Sequence, residues 1–228
     1  MNDGAAWLSG FVAPFSYAEG EASKPYTVDP WPYFSPDLEA AYQASMQRIV
    51  PPRWGRIDQD VPGTAAGNWF LDGTVGYSGK STETFRNATA PLSGGPVEGK
   101  NSYAWSHLAV ARHWVQPDKW IFSTGWWKDE RGDPGQWLID VPAGKPEPSA
   151  LTPESGVVVY RLQHVGTTAP PTNQAPMPIN YDVVGWATEG IVAMQVNADG
   201  TLTIEPVPGQ QDPASFTGFS FAKRVYRR

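Results

Sequence analysis

The stretch "IVAMQVNADGTLTIEPV", residues 191–207, decides the fold class of this chain. Two runs with the two-residue periodicity of β-strands flank a turn at Asn197 to Gly200, where the glycine can take the left-handed position of a bulged loop. Strands joined by so short a turn pair antiparallel. The same periodicity continues through most of the chain after Trp54, and "VQPDKW" predicts a second tight turn at Pro117-Asp118.

The periodicity predicts about eight strands in total. Pro-rich connections separate several of them, as is typical of surface loops on a β scaffold. We therefore predict a mainly β fold, an antiparallel β-barrel or β-sandwich of about eight strands with one amphipathic helix and a long N-terminal extension. The predicted strands span residues 68–76, 103–115, 119–127, 136–141, 156–165, 182–196, 200–207 and 215–227.

The N-terminal part of the chain has a different pattern. We predict that residues 1–54 form an extension, containing a helix at about 36–49, that packs on an all-β domain of residues 55–228. Ser35 is suited to cap this helix, and Pro36 to its first position. An apolar stripe predicts that the helix covers a sheet or closes a barrel end. The stripe consists of Leu38, Tyr42, Met46 and Ile49.

Composition limits the function. The chain has 228 residues, a formal net charge of -6 and no cysteine. The negative charge argues against nucleic-acid binding, and the missing cysteines exclude disulfides and thiolate catalysis. No apolar run is long enough to span a membrane, and the N-terminus lacks the pattern of a signal peptide. A chain with 11 Trp, 23 Pro and 23 Gly is typical of secreted or periplasmic β proteins, with a cytoplasmic location as the alternative.

Residues 67–81, "GNWFLDGTVGYSGKS", contain two short patterns. The ending Gly79-Lys80-Ser81 matches the end of a phosphate-binding loop, but that motif requires glycine at position 74, where this chain has threonine. No helix pattern follows Ser81, so the dipole and free N–H groups that bind phosphate are missing. The sequence therefore predicts no nucleotide site here.

The beginning of the same stretch, Gly67-Asn68-Trp69, resembles the G-x-W motif that opens the first strand of lipocalin-type barrels. The resemblance implies that Trp69 closes one barrel end and that an arginine of the last strand, here Arg224, packs across it. The long segment before Gly67 and the Pro-rich insertions depart from that family. The alternative interpretation makes Trp69 a core residue at the start of the first body strand.

Histidines raise the question of a metal site. His107 and His113 lie on one strand face but about 20 Å apart, so they cannot bind the same ion, and we predict no metal and no cofactor. The face they share combines rings with two alanines, as in a strand that lines a cavity. The competing interpretation is that the alanines let a neighbouring element approach closely. The face comprises Tyr103, Trp105, His107, Ala109, Ala111 and His113.

Residues 123–137, "STGWWKDERGDPGQW", place Trp126, Trp127 and Trp137 beside a charged turn. Tryptophan rings stack on the C–H faces of sugars, and carboxylates accept their hydroxyl groups. The carboxylates of this turn, Asp129, Glu130 and Asp133, are also candidates for calcium binding or for glycosidase acid and base. A solvated hairpin tip between packed tryptophans is the plainer alternative.

Three functions follow from these features. The leading hypothesis is a non-enzymatic protein that binds a small molecule or a carbohydrate; its predicted ligand-binding residues are Trp105, His107, Trp126, Trp127 and Trp137. The second is a carboxylate-dependent hydrolase that acts on glycans. The third is a structural or interaction protein whose aromatic residues form an interface, in which case the chain would form oligomers.

Overall fold

The computed structural model describes residues 9–18, 20–46, 57–79, 106–125, 135–167 and 183–228. Eight strands in these ranges form one antiparallel sheet, in which each strand pairs with the next and the last pairs with the first. The sheet therefore closes into a barrel, and the predicted mainly β fold is confirmed. The strands are β1 (Gly67–Leu71), β2 (His107–Arg112), β3 (Trp120–Thr124), β4 (Gly135–Asp140), β5 (Val158–Thr167), β6 (Val183–Val196), β7 (Leu202–Pro208) and β8 (Arg224–Arg227).

Side chains of alternate strand residues fill the barrel interior. Because successive residues of a strand point to opposite faces, one set from each strand meets inside. The largest fully buried members include Trp69, Phe122, Tyr160 and Tyr226. They belong to a single apolar cluster that draws on all eight strands. The inside of the barrel is thus a packed core in the described part of the chain.

Both predicted tight turns are present. Between β2 and β3, the Lys119 amide donates to the Gln116 carbonyl at 3.0 Å, which closes the turn at Pro117-Asp118. Between β6 and β7, the Gly200 amide donates to the Asn197 carbonyl at 2.9 Å. Gly200 has a φ of 81°, the left-handed conformation that glycine adopts without strain.

The arginine that lies over the Trp69 ring is Arg228, whereas the resemblance to lipocalin-type barrels implied Arg224. The Arg228 guanidinium lies 4.1 Å from the Trp69 ring. It also donates to the carbonyls of Val61, Thr64 and Ala66 at 2.8–2.9 Å. Register explains the difference, because Arg224 pairs with Ile204 toward the other end of β7 and β8.

The N-terminal segment contacts the outer face of β1. Phe11 and Tyr17 form a small apolar cluster with Phe70, and the Tyr77 ring packs against it. Lys24 lies over the Tyr77 ring, 4.1 Å from its centre. Short 3-10 turns at Pro14–Tyr17, Lys24–Tyr26 and Trp31–Tyr33 shape this segment. Whether residues 1–54 and 55–228 are separate units stays a prediction.

The helix α1 spans Pro36–Ser45 and is shorter than the predicted 36–49. Ser35 caps it, since its side chain accepts from the Leu38 amide, and Met46 is already extended. No residue of α1 is buried, so Leu38 and Tyr42 of the predicted stripe do not cover a sheet or a barrel end. Ile49 lies outside the described residues. Instead the Tyr42 ring stacks on Phe34 at 5.4 Å. No helix in the described ranges has the length and apolar character needed to cross a membrane.

A hairpin formed by the end of β5 and the start of β6 lies on the outer face of the barrel. Val165 and Val183 pack there against Ile121 of β3 and Leu138 of β4. The Val183 amide also donates to the Gln116 side chain at 2.7 Å, which ties the hairpin to the β2–β3 turn. The pairing of β5 with β6 has two irregularities, between Leu162 and Gln163 and between Gln163 and Val165, where the hairpin begins.

Candidate functional site

A cleft of about 460 Å³ lies between this hairpin and the outer face of the barrel. Its volume falls in the range of about 300 to 1,000 Å³ that small-molecule sites occupy. Leu138, Val141 and Val183 form an apolar wall. The polar groups come from the β2–β3 turn, the end of β4, the following connection and β5, namely Asp118, Lys119, Asp140, Glu147 and Gln163.

Each carboxylate of the cleft has one oxygen engaged by a cation. Asp140 Oδ2 contacts Arg161 at 3.5 Å, and Asp118 Oδ2 contacts Lys119 at 3.6 Å. In both cases the other carboxylate oxygen has no hydrogen bond to the part of the chain that the structure describes. Both carboxylates therefore retain acceptor capacity for a ligand.

Glu147 is held most firmly of the three carboxylates. Its Oε2 accepts from Arg112 at 2.8 Å and from the Trp120 indole N–H at 3.2 Å. The Arg112 guanidinium in turn lies over the Trp120 ring, 3.9 Å from its centre. Because these contacts fix the carboxylate and the indole together, a ligand in the cleft would meet preorganised groups.

Gln163 reaches the cleft because residue 185 is glycine. A Cβ at Gly185 would occupy the place of the Gln163 amide, so a larger residue would displace it. The amide supplies both donors and an acceptor, and Lys119 supplies further donors. The cleft thus offers donors and acceptors above an apolar wall. No three acidic or histidine side chains in the described ranges come close enough to hold a metal ion.

Most of the predicted ligand-binding residues lie outside the described ranges. This holds for Trp105, Trp126 and Trp127, and also for the proposed carboxylates Asp129, Glu130 and Asp133. Their roles stay predictions. The two remaining residues, His107 and Trp137, lie on opposite faces of the sheet and are not brought together by the fold.

His107 lies on the outer face of β2, since Leu108 and Val110 take the interior positions. Its ring stacks on Phe70 with 5.5 Å between centres and lies 6.0 Å from Tyr77. The face that the sequence suggested as a cavity lining is therefore covered at His107 by aromatic side chains. Burial, with a smaller effect of the Lys24 charge, lowers the pKa of His107 to about 4.

Trp137 is buried in the barrel core, but its indole N–H reaches a carboxylate at the barrel rim. It donates to Glu189 Oε2 at 2.6 Å. The other oxygen of Glu189 is 3.1 Å from Nδ1 of His164. The exposed Trp186 ring lies 6.2 Å from the His164 ring. No local sequence motif marks Trp186 or Glu189 as binding residues.

These features define the protein as a β-barrel with a polar cleft on its outer face and an aromatic and carboxylate cluster nearby. Comparison with known proteins adds no further assignment: no family model, curated protein or solved structure matches the chain.

Proposed function

We propose that this protein binds a small polyhydroxylated molecule, such as a mono- or disaccharide, in the cleft between the β5–β6 hairpin and the barrel, without catalysis. The observation that supports this proposal best is the combination of volume and lining: about 460 Å³ with an apolar wall on one side and positioned donors and acceptors on the other.

The mixture of hydrogen-bond donors and acceptors in the cleft favours a ligand with hydroxyl groups over a cationic ligand. An ammonium group only donates, so it would leave Lys119 and the Gln163 amide N–H groups without acceptors. A hydroxyl group both donates and accepts, so it can satisfy these donors as well as the free oxygen of Asp140. Because Asp140 and Glu147 are already paired with arginines, the cleft also has little net charge to offer a cation.

The proposal is tested by titrating the full chain with a panel of neutral mono- and disaccharides, using calorimetry. We expect saturable binding of at least one sugar. An Asp140→Asn variant should bind it about ten-fold more weakly, because a charge-assisted hydrogen bond is replaced by a neutral one. Asp72→Asn is the matched control, since Asp72 forms a similar exposed ion pair with Arg227 at 2.6 Å outside the cleft.

Two results would contradict the proposal. One is the absence of binding across the panel. The other is an equal loss of affinity in the Asp140→Asn and Asp72→Asn variants, which would indicate a general charge effect. A secreted or periplasmic location, where free saccharides are common ligands of binding proteins, stays part of this proposal.

A further inference from the structure

We propose that Trp186, His164 and Glu189 form a second binding site, which takes one ring of a neutral oligosaccharide. The site lies on the side of the sheet opposite to the cleft, because His164 pairs with the core residue Trp137 whereas Gln163 pairs with Leu138 of the cleft wall. Trp186 lies beside His164. The inference rests on the proposed function only for the class of ligand, and it extends that class from small sugars to oligosaccharides.

The two irregularities in the pairing of β5 with β6 determine the direction of the Glu189 and Trp186 side chains. Leu162 pairs with Gly190 but Gln163 pairs with Thr188, so Glu189 is an extra residue in β6. A second extra residue lies between positions 185 and 188 of β6, next to Trp186. Bulges of this kind redirect side chains and are frequent beside functional sites.

The Trp186 indole lies over the backbone of the neighbouring strand. A Cβ at Gly166 would overlap the indole ring, so the glycine is needed for this close approach. Trp186 nevertheless remains 67% exposed. One ring face is therefore supported by the hairpin, and the rest of this large apolar surface is open to a ligand.

Glu189 and His164 supply fixed polar groups beside that ring. The Glu189 carboxylate accepts from the buried Trp137 indole at 2.6 Å and from His164 Nδ1 at 3.1 Å. Since a carboxylate only accepts, Nδ1 of His164 is the donor in this contact, and Nε2 takes no part in it. The side chains of His164 and Glu189 are 54% and 40% exposed, so a ligand can reach both.

This arrangement selects a sugar ring. The apolar indole face suits the C–H face of a pyranose, and the Glu189 carboxylate and the His164 imidazole suit its hydroxyl groups. The negative charge of Glu189 disfavours acidic sugars. Because the site is an open surface and not an enclosed pocket, it can hold one ring of a longer chain whose other rings extend away from it.

The test uses the full chain labelled with 5-fluorotryptophan and followed by ¹⁹F NMR, with Trp186→Phe and Trp120→Phe variants to assign the two signals. The probes are tetrasaccharides of glucose, mannose, xylose and N-acetylglucosamine, with tetragalacturonate as an acidic comparison. We expect at least one neutral probe to shift the Trp186 signal saturably, and tetragalacturonate to leave it unchanged.

Variants then measure the contribution of the ring. We expect Trp186→Ala to weaken binding of that tetrasaccharide about ten-fold, and Trp186→Tyr to restore part of the affinity by supplying a smaller ring. Trp114→Ala is the matched control, because Trp114 is 55% exposed and stacks on His113. An unmoved Trp186 signal with every neutral probe, or an equal loss in Trp114→Ala, overturns the inference.

The same spectra separate this inference from the proposed function. Trp120 lines the cleft, so its signal reports on cleft binding. A shift of the Trp120 signal alone supports the cleft and overturns the second site. A shift of the Trp186 signal alone supports the second site, and the cleft is then judged by the titration with mono- and disaccharides.

Discussion

Replacing His107 by phenylalanine is expected to make the stability of the protein less sensitive to acid. The His107 ring is packed against Phe70 and Tyr77, and its Nε2 is 3.2 Å from the Asn68 side chain. Burial, reinforced by the nearby Lys24 charge, lowers its pKa to about 4. The folded protein therefore keeps this ring neutral at pH values where the unfolded chain would protonate it.

The size of the effect follows from the two pKa values. In the unfolded chain the histidine titrates near a pKa of about 6.5, and each unit of difference corresponds to about 1.4 kcal/mol. The contribution of a neutral His107 is fully present above pH 6.5 and is lost as the pH falls toward 4. At pH 4.5 the loss amounts to about 2.5 kcal/mol of the free energy of unfolding.

Urea unfolding at pH 7.5 and pH 4.5, followed by tryptophan fluorescence, measures this effect. The relevant quantity is the decrease in unfolding free energy between the two pH values, which we expect to be smaller in His107→Phe than in the wild type by about 2.5 kcal/mol. The lost contact with Asn68 lowers stability at both pH values and cancels in this difference. An equal decrease in both proteins would refute the reasoning that His107 is buried in its neutral form.

Two further substitutions test the contacts that hold the barrel and its connections. Arg228→Ala should lower the free energy of unfolding by about 2 to 3 kcal/mol, because it removes the guanidinium from Trp69 and from three carbonyls. Arg228→Lys should recover only part of this stability. Full recovery in Arg228→Lys would show that the charge alone matters. Glu205→Ala should also lower the free energy of unfolding by about 2 to 3 kcal/mol, since Glu205 is 6% exposed and its carboxylate accepts from the Ser220 amide at 2.7 Å and the Ser220 hydroxyl at 2.6 Å. An unchanged urea midpoint would contradict this prediction.

The strands and turns could be predicted because their signals are local. The turn at Asn197 to Gly200 needs only one glycine and two flanking strands, and all of these are neighbours in the chain. Closure of the barrel is different, since it depends on pairs such as Leu71 with Tyr226, which are far apart in the chain. Nothing local in either strand specifies this pairing, so barrel and sandwich stayed open from the sequence.

The location of the candidate sites was harder to predict. The alternation of side chains along β2 places His107 on one face and Leu108 and Val110 on the other, but it does not predict which face points into the barrel. The larger apolar side chains of Leu108 and Val110 would have favoured the observed choice. The contact between Trp137 and Glu189 could not be predicted from local sequence, because it joins residues 52 positions apart and depends on bulges in β6.

These bulges matter because they determine the direction of the side chains in the β5–β6 hairpin. Gln163 lines the cleft, while His164 and Trp186 lie together on the opposite side of the sheet. Since side chains alternate along a strand, a shift of one residue in β6 would turn the Trp186 ring away from Gly166 and His164. The two extra residues of β6 therefore set the register that places this ring over Gly166 and beside His164.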